Sequence, residues 1–238
     1  LGRWQEAQAC YRRSVAAFER CGDLLNAAKT RFALSTVLVE LGCVDEAFEL
    51  ATDATRVTAA AGDPTPAAGS CVSLRSRIRA GHHVTTGDVV TRTTEAIALL
   101  HASGEDEMAA FGEVALLEIL LLSGRADIAR TRATALIPTV DRYGDQHLLP
   151  TTVRRLRAVA EWLLADLAAA RTWLDAARVL AERHAIVPEI AAIAAVDAQW
   201  APLEGGPDAS TLFTRSERLD LELGVESRPW FVPRPGPT

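Results

Sequence analysis

The chain has 238 residues, a formal net charge of −6 and a pI near 5.4; hydrophobic residues make up 49% and charged residues 24%. That balance excludes a disordered chain, and the acidic total excludes a surface that binds nucleic acid indiscriminately. Charge also breaks every apolar stretch short of the ~18 residues a membrane-spanning helix needs: the longest run, Val114 to Leu122, is interrupted by Glu118.

Two interleaved series of breaks organise the sequence. A Gly-acid pair recurs at Gly22-Asp23, Gly62-Asp63, Gly104-Glu105 and Gly144-Asp145, at spacings of 40, 42 and 40, and the series continues through His184 and Gly224. A second series, Gly2, Gly42, Gly81 and Gly124, is spaced by 40, 39 and 43 and continues through Ala165 and Gly205. Two breaks in each period of about 40 residues predict two helices per repeat. Alanine, at 43 positions, favours helix and lets helices pack closely.

In chain order, QEAQACYRRSVAAFERCGD predicts a helix closed by Gly22, a residue suited to the left-handed conformation that ends helices. DLLNAAKTRFALSTVLVELG places Leu34, Val37, Leu38 and Leu41 at helical spacing, and DEAFELATDATRVTAAAGD continues the alternation. Pro66, Pro150 and Pro188 sit near predicted helix starts, where a missing amide costs little. EMAAFGEVALLEILLLSG, introduced by Glu105, Asp106 and Glu107 at the positive end of its dipole, pairs with RADIARTRATALIPTVDRYGD, in which Pro138 predicts a kink or an end. No alternating strand pattern of useful length appears. The expected fold is all-α, with about eleven helices: an orphan half-repeat and five helical hairpins over residues 1–224, then a Pro-rich tail at 225–238. Ala7, Ala47, Ala129 and Ala170 recur five positions after the second-series breaks, where a small residue lets helices cross closely. Cys10, Cys43 and Cys71 fall on apolar stripes. They are expected as the buried thiols of a cytoplasmic protein rather than as a disulfide framework.

Catalytic signatures are missing from the sequence. Lys29-Thr30 resembles the end of a phosphate-binding loop, but Ala28 replaces the required glycine and the segment reads as mid-helix. There is no G-x-S-x-G elbow and no H-E-x-x-H. His82 and His83 are adjacent in a predicted turn, with no third ligand at a recognisable spacing. The expectation is a protein without enzymatic activity, cofactor or metal.

The residues Leu34-Ser35, Leu38, Gly42, Ala47 and Ala54, and in the fourth repeat Leu116-Leu117, Leu120, Gly124 and Ala129, resemble the tetratricopeptide (TPR) pattern. The period near forty is similar to that of the TPR-like arrays at the C-terminal ends of large bacterial signalling NTPases: LuxR-type and antibiotic-regulator-type transcription factors and ATPase-linked nucleotide cyclases. A single lysine against 24 arginines suits a bacterial source. Leu1-Gly2 correspond to Leu41-Gly42 of the next repeat, so the chain opens in the middle of a hairpin and is expected to be part of a longer protein.

The resemblance implies a right-handed α-solenoid whose first helices line a concave groove for an extended peptide. Its groove positions fall here on Lys29, Phe32, Thr36 and Glu40, then Cys71, Arg75, Ile78 and Arg79, then Phe111, Val114 and Glu118, and last Thr152, Arg155, Val159 and Trp162. The arginines and aromatics among them could hold an acidic or C-terminal carboxylate segment; equally, they could be no more than the polar faces of amphipathic helices. The expected partner is a protein segment or another domain of the parent chain, with neither nucleic acid nor membrane engaged. A small-molecule inducer bound on the array surface is the alternative.

Overall fold

The computed structural model describes residues 3–61, 65–79, 86–204 and 209–225. Gly2, Gly62, Gly81, Gly205, the His82-His83 pair and the tail at 226–238 lie outside them. Among the described residues the chain is all-α, with eleven α-helices and no strand. The helices are α1 (Trp4–Arg20), α2 (Leu24–Leu41), α3 (Val44–Ala60), α4 (Thr65–Arg79), α5 (Thr86–Ala102), α6 (Asp106–Leu122), α7 (Ala126–Val140), α8 (Leu148–Leu163), α9 (Leu167–Arg183), α10 (Val187–Glu204) and α11 (Ala209–Leu223). They form two compact units, Arg3–Ile119 and Leu120–Gly224.

The turns explain the spacing seen in the sequence. After α2, Gly42 takes φ +86°, the Cys43 amide donates to the Leu38 carbonyl at 2.9 Å, and the Gly42 amide donates to Val39. This pair of bonds satisfies carbonyls that the helix itself leaves open. The same long return bond recurs from Asp23 to Phe18, Glu105 to Leu100, Arg125 to Leu120, Asp166 to Glu161 and Ile186 to Ala181. In each of these turns the residue before the donor has positive φ. At two of them that residue is alanine: Ala165 at φ 63° and Ala185 at φ 50°. The His184 expectation is therefore corrected by one residue. His184 caps α9 at φ −107°, and Ala185 bears the left-handed turn.

Helix starts are fixed by short side chains. Asp23 accepts from the Asn26 amide at 3.1 Å, and Asp166 accepts from the Ala169 amide at 3.0 Å; each satisfies a donor that has no partner inside its helix. Pro150 and Pro188 stand in the first turns of α8 and α10, as expected. Pro138 stands in the last turn of α7, which ends at Val140 and passes into a 3-10 turn over Asp141–Tyr143.

In Arg3–Ile119 each of α1 to α4 packs on the next, α4 packs on α5, and α2 also touches α4. Leu34, Leu38, Val39 and Ala47 form a buried cluster joined by Tyr11, Leu50 and Val72. Leu74 of α4, Val89 of α5 and Ile119 of α6 form a second. At the α3–α4 crossing a Cβ added to Gly69 would stand 2.4 Å from the Thr55 hydroxyl. In Leu120–Gly224, α7 to α11 pack in succession and α8 also touches α10. The small-residue stripes face the core: Ala47, Ala51 and Ala54 on α3, Ala129 and Ala133 on α7, and Ala170, Ala177 and Ala181 on α9 are all buried. Two cysteine expectations change. Cys71 is buried, but Cys10 is exposed and Cys43 is half-buried. Cys10 lies on α1, which has no buried residue, so its stripe is open to solvent.

Candidate functional site

The groove residues expected from the sequence lie on alternate helices: α2, α4, α6 and α8. On α2, Lys29 is exposed, while Phe32 and Thr36 are half-buried. Helical spacing puts the three on one stripe with Glu40. Thr30, next to Lys29, lies within the helix and donates its hydroxyl to the Asn26 carbonyl at 2.7 Å, so no phosphate-binding loop forms there.

On α4 and α6 the expected groove is filled by its own charges. Arg75 donates from Nε to Glu118 of α6 and from Nη1 to Glu40 of α2, the latter at 2.8 Å. Arg79, one turn on, donates from Nε and Nη2 to Glu118 Oε1 at 2.8 and 2.6 Å, and from Nη1 to the Val39 carbonyl at 2.9 Å. The Arg79 and Glu118 side chains are only 4% and 3% exposed. Burial opposes the charge on Arg75, but Glu118 and Glu40 overcome it and raise its pKa. Burial together with the neighbouring Arg75 lowers that of Arg79. Burial alone would raise Glu118, yet Arg75 and Arg79 together hold it below its ordinary value. Beside this cluster Val114 and Cys71 are buried, Ile78 is half-buried, and Phe111 is exposed. Burial pushes the Cys71 thiol up to about 12, with Glu113 adding to the shift.

In Leu120–Gly224 the pattern recurs with other residues. Arg155 of α8 donates to Glu189 of α10 from Nε at 2.6 Å and from Nη2 at 3.0 Å, and Thr152 donates to the same carboxylate at 2.9 Å. Val159 is buried beside them. Trp162 is 2% exposed and lies face to face with Trp200 of α10, ring centroids 4.3 Å apart and 7° from parallel. The Arg171 guanidinium stands 5.2 Å from the Trp200 ring and also bonds Asp197 at 2.7 Å. Glu161 accepts from Arg157 at 2.6 Å.

Arg75, Arg79, Glu118 and Arg155 therefore bridge one alternate helix to the next, as do Thr152 and Trp162. Lys29, Phe32, Thr36 and Phe111 retain accessible surface. Arg75, Arg79, Glu118 and Arg155 are engaged by other groups of the chain. The sequence reading missed Glu189, Asp197 and Trp200. For the pairing of Glu118 with Arg75 and Arg79 one signal was available: a lone charge inside the apolar run Val114–Leu122 requires a cation from another helix.

A shallow cleft, open to solvent, lies between α9, α10 and α11 and is lined by Arg178, Glu182, Ile193, Asp197, Leu212 and Arg215. Its charges pair among themselves, Arg178 with Asp197 at 2.8 Å and Arg215 with Glu182 at 4.0 Å. No group of three or more His, Cys, Asp or Glu residues among those described is placed to hold a metal ion. No helix among them is long and apolar enough to cross a membrane. Compared with known proteins, the chain matches no protein-family model and no curated protein.

Proposed function

We propose that this chain is a TPR-like, non-enzymatic binding or regulatory module of a bacterial, cytoplasmic signalling or transcription-regulating NTPase. Its partner is a protein segment, or another domain of the parent chain, lying against the exposed faces of successive helices. The observation that carries this reading is the regular pairing of helices at the forty-residue spacing, with α2 also touching α4 and α8 also touching α10. Alternate helices then present equivalent faces side by side, a geometry suited to an extended ligand. The contact surface assigned here is the accessible stripe of Lys29, Phe32 and Thr36 on α2, not the buried arginines.

The test places a photo-crosslinking residue at Phe32 in the complete reading frame, with a control at the exposed Val179 of α9. The expected result is an adduct to one defined segment at Phe32 and none at Val179. Equal, diffuse labelling at both positions overturns the reading.

A further inference from the structure

The Glu40–Arg75–Arg79–Glu118 cluster joins three helices through one deeply buried carboxylate. Glu118 receives three of the cluster's hydrogen bonds, two from Arg79 and one from Arg75. Arg75 holds a second carboxylate, Glu40, whereas the other bond shown for Arg79 runs to a backbone carbonyl. Charge balances as two guanidinium groups against two carboxylates. Neutralising Glu118 leaves both guanidiniums facing Glu40 alone. An uncompensated charge at a buried site costs far more than the intact pair contributes. Arg79 cannot lower that cost by losing its proton at any ordinary pH.

We propose that this cluster is an acid-released clasp: protonation of Glu118 parts α4 from α6 within Arg3–Ile119 while the helices themselves persist. The charged groups acting on Glu118 are Arg75 and Arg79 from α4 and Glu40 from α2. The α5 residues packed beside it in the Leu74–Val89–Ile119 cluster are apolar. Because the folded protein holds the Glu118 proton less tightly than the ordinary carboxyl at 4.5, the clasp is complete above that pH. Between that pH and the lower folded-state value opening grows about tenfold per pH unit, the slope for uptake of one proton, and the loss is complete below the folded-state value.

Amide hydrogen exchange on the whole chain, corrected for intrinsic rates, tests the clasp. Protection of α4 and α6 should fall below about pH 4.5, ahead of α9, while the helical circular-dichroism signal is retained. In a variant carrying Arg75→Met, Arg79→Met and Glu118→Leu the three charges that meet at Glu118 are gone, Glu40 alone remaining at the partly exposed edge, and the volumes are kept, so this early step should vanish. In Glu118→Ala, α4 should be unprotected at neutral pH. Sodium formate, which can supply the missing carboxylate, should restore protection, while sodium chloride of equal ionic strength should not. The proposal is overturned if wild-type α4 keeps its protection as far into acid as α9. A triple variant that retains the early step, or formate and chloride acting alike on Glu118→Ala, overturns it as well.

Discussion

Arg155 and Glu189 meet across α8 and α10 through two hydrogen bonds, and each side chain is only 6% exposed. The two residues are 34 positions apart, on alternate helices of one unit. Removing one partner strands the other charge in the interior. Arg155→Met is expected to lower unfolding free energy by about 3–5 kcal/mol. Arg155→Met combined with Glu189→Leu should recover most of that loss, because a matched apolar pair avoids the desolvation cost of both ions. Urea titrations of the three variants give the coupling directly; purely additive losses would show that the pair carries no mutual term.

The Trp162–Trp200 stack supplies the bulk of the same interface. Trp200→Ala should cost about 3–5 kcal/mol through lost burial and the cavity left behind. A double-mutant cycle with Trp162→Leu and Trp200→Leu should show a further coupling of about 0.5–1.5 kcal/mol for the ring contact. Denaturant midpoints read both quantities.

The cysteines should separate by reactivity. With its thiol pushed up to about 12, Cys71 holds almost no thiolate at pH 8 and is shielded within α4. Cys10 and Cys21 are exposed. Iodoacetamide applied at pH 8, followed by peptide mass mapping, should label Cys10 and Cys21 first and Cys71 only after denaturation. Rapid labelling of Cys71 in the native chain would contradict its placement.

The alanines at left-handed turns mark two positions where a substitution should stabilise. Ala165 and Ala185 hold positive φ, a conformation disfavoured for any residue with a Cβ. Ala185→Gly and Ala165→Gly should each raise thermal stability by about 1 kcal/mol, net of the extra freedom glycine gives the unfolded chain. Gly42→Ala should move stability the other way by a similar amount. Calorimetric melting of the three variants checks the signs.

Much of the fold was legible because its turns are chemically repetitive. The same return hydrogen bond needs a left-handed residue at each break, and glycine supplies it at four of the six turns that share that bond. The displaced turn at Ala185 shows the limit of that code. Once alanine takes the conformation, the sequence offers only spacing, and His184 looked equally suitable. The candidate groove was legible as a set of helix faces but not as a surface. Arg75 and Arg79 have the pattern of a solvated polar face, and only the approach of α6 delivers Glu118, 43 and 39 residues away. Pairings at such separations depend on how the hairpins stack, which no local propensity encodes. Glu189 was masked in another way: an acid in the first turn of α10 already has a local explanation in the helix dipole.

The placement of the tryptophans gives the protein a built-in optical asymmetry. Of the five tryptophans, Trp162, Trp173 and Trp200 belong to Leu120–Gly224 and Trp4 to Arg3–Ile119, while Trp230 lies outside the described residues. Intrinsic fluorescence therefore follows chiefly the later unit, while the far-ultraviolet signal sums helices from both. Recorded on one sample, the two traces set the later unit against the chain as a whole. The point at which they diverge during unfolding measures how strongly the fate of one unit is tied to the other.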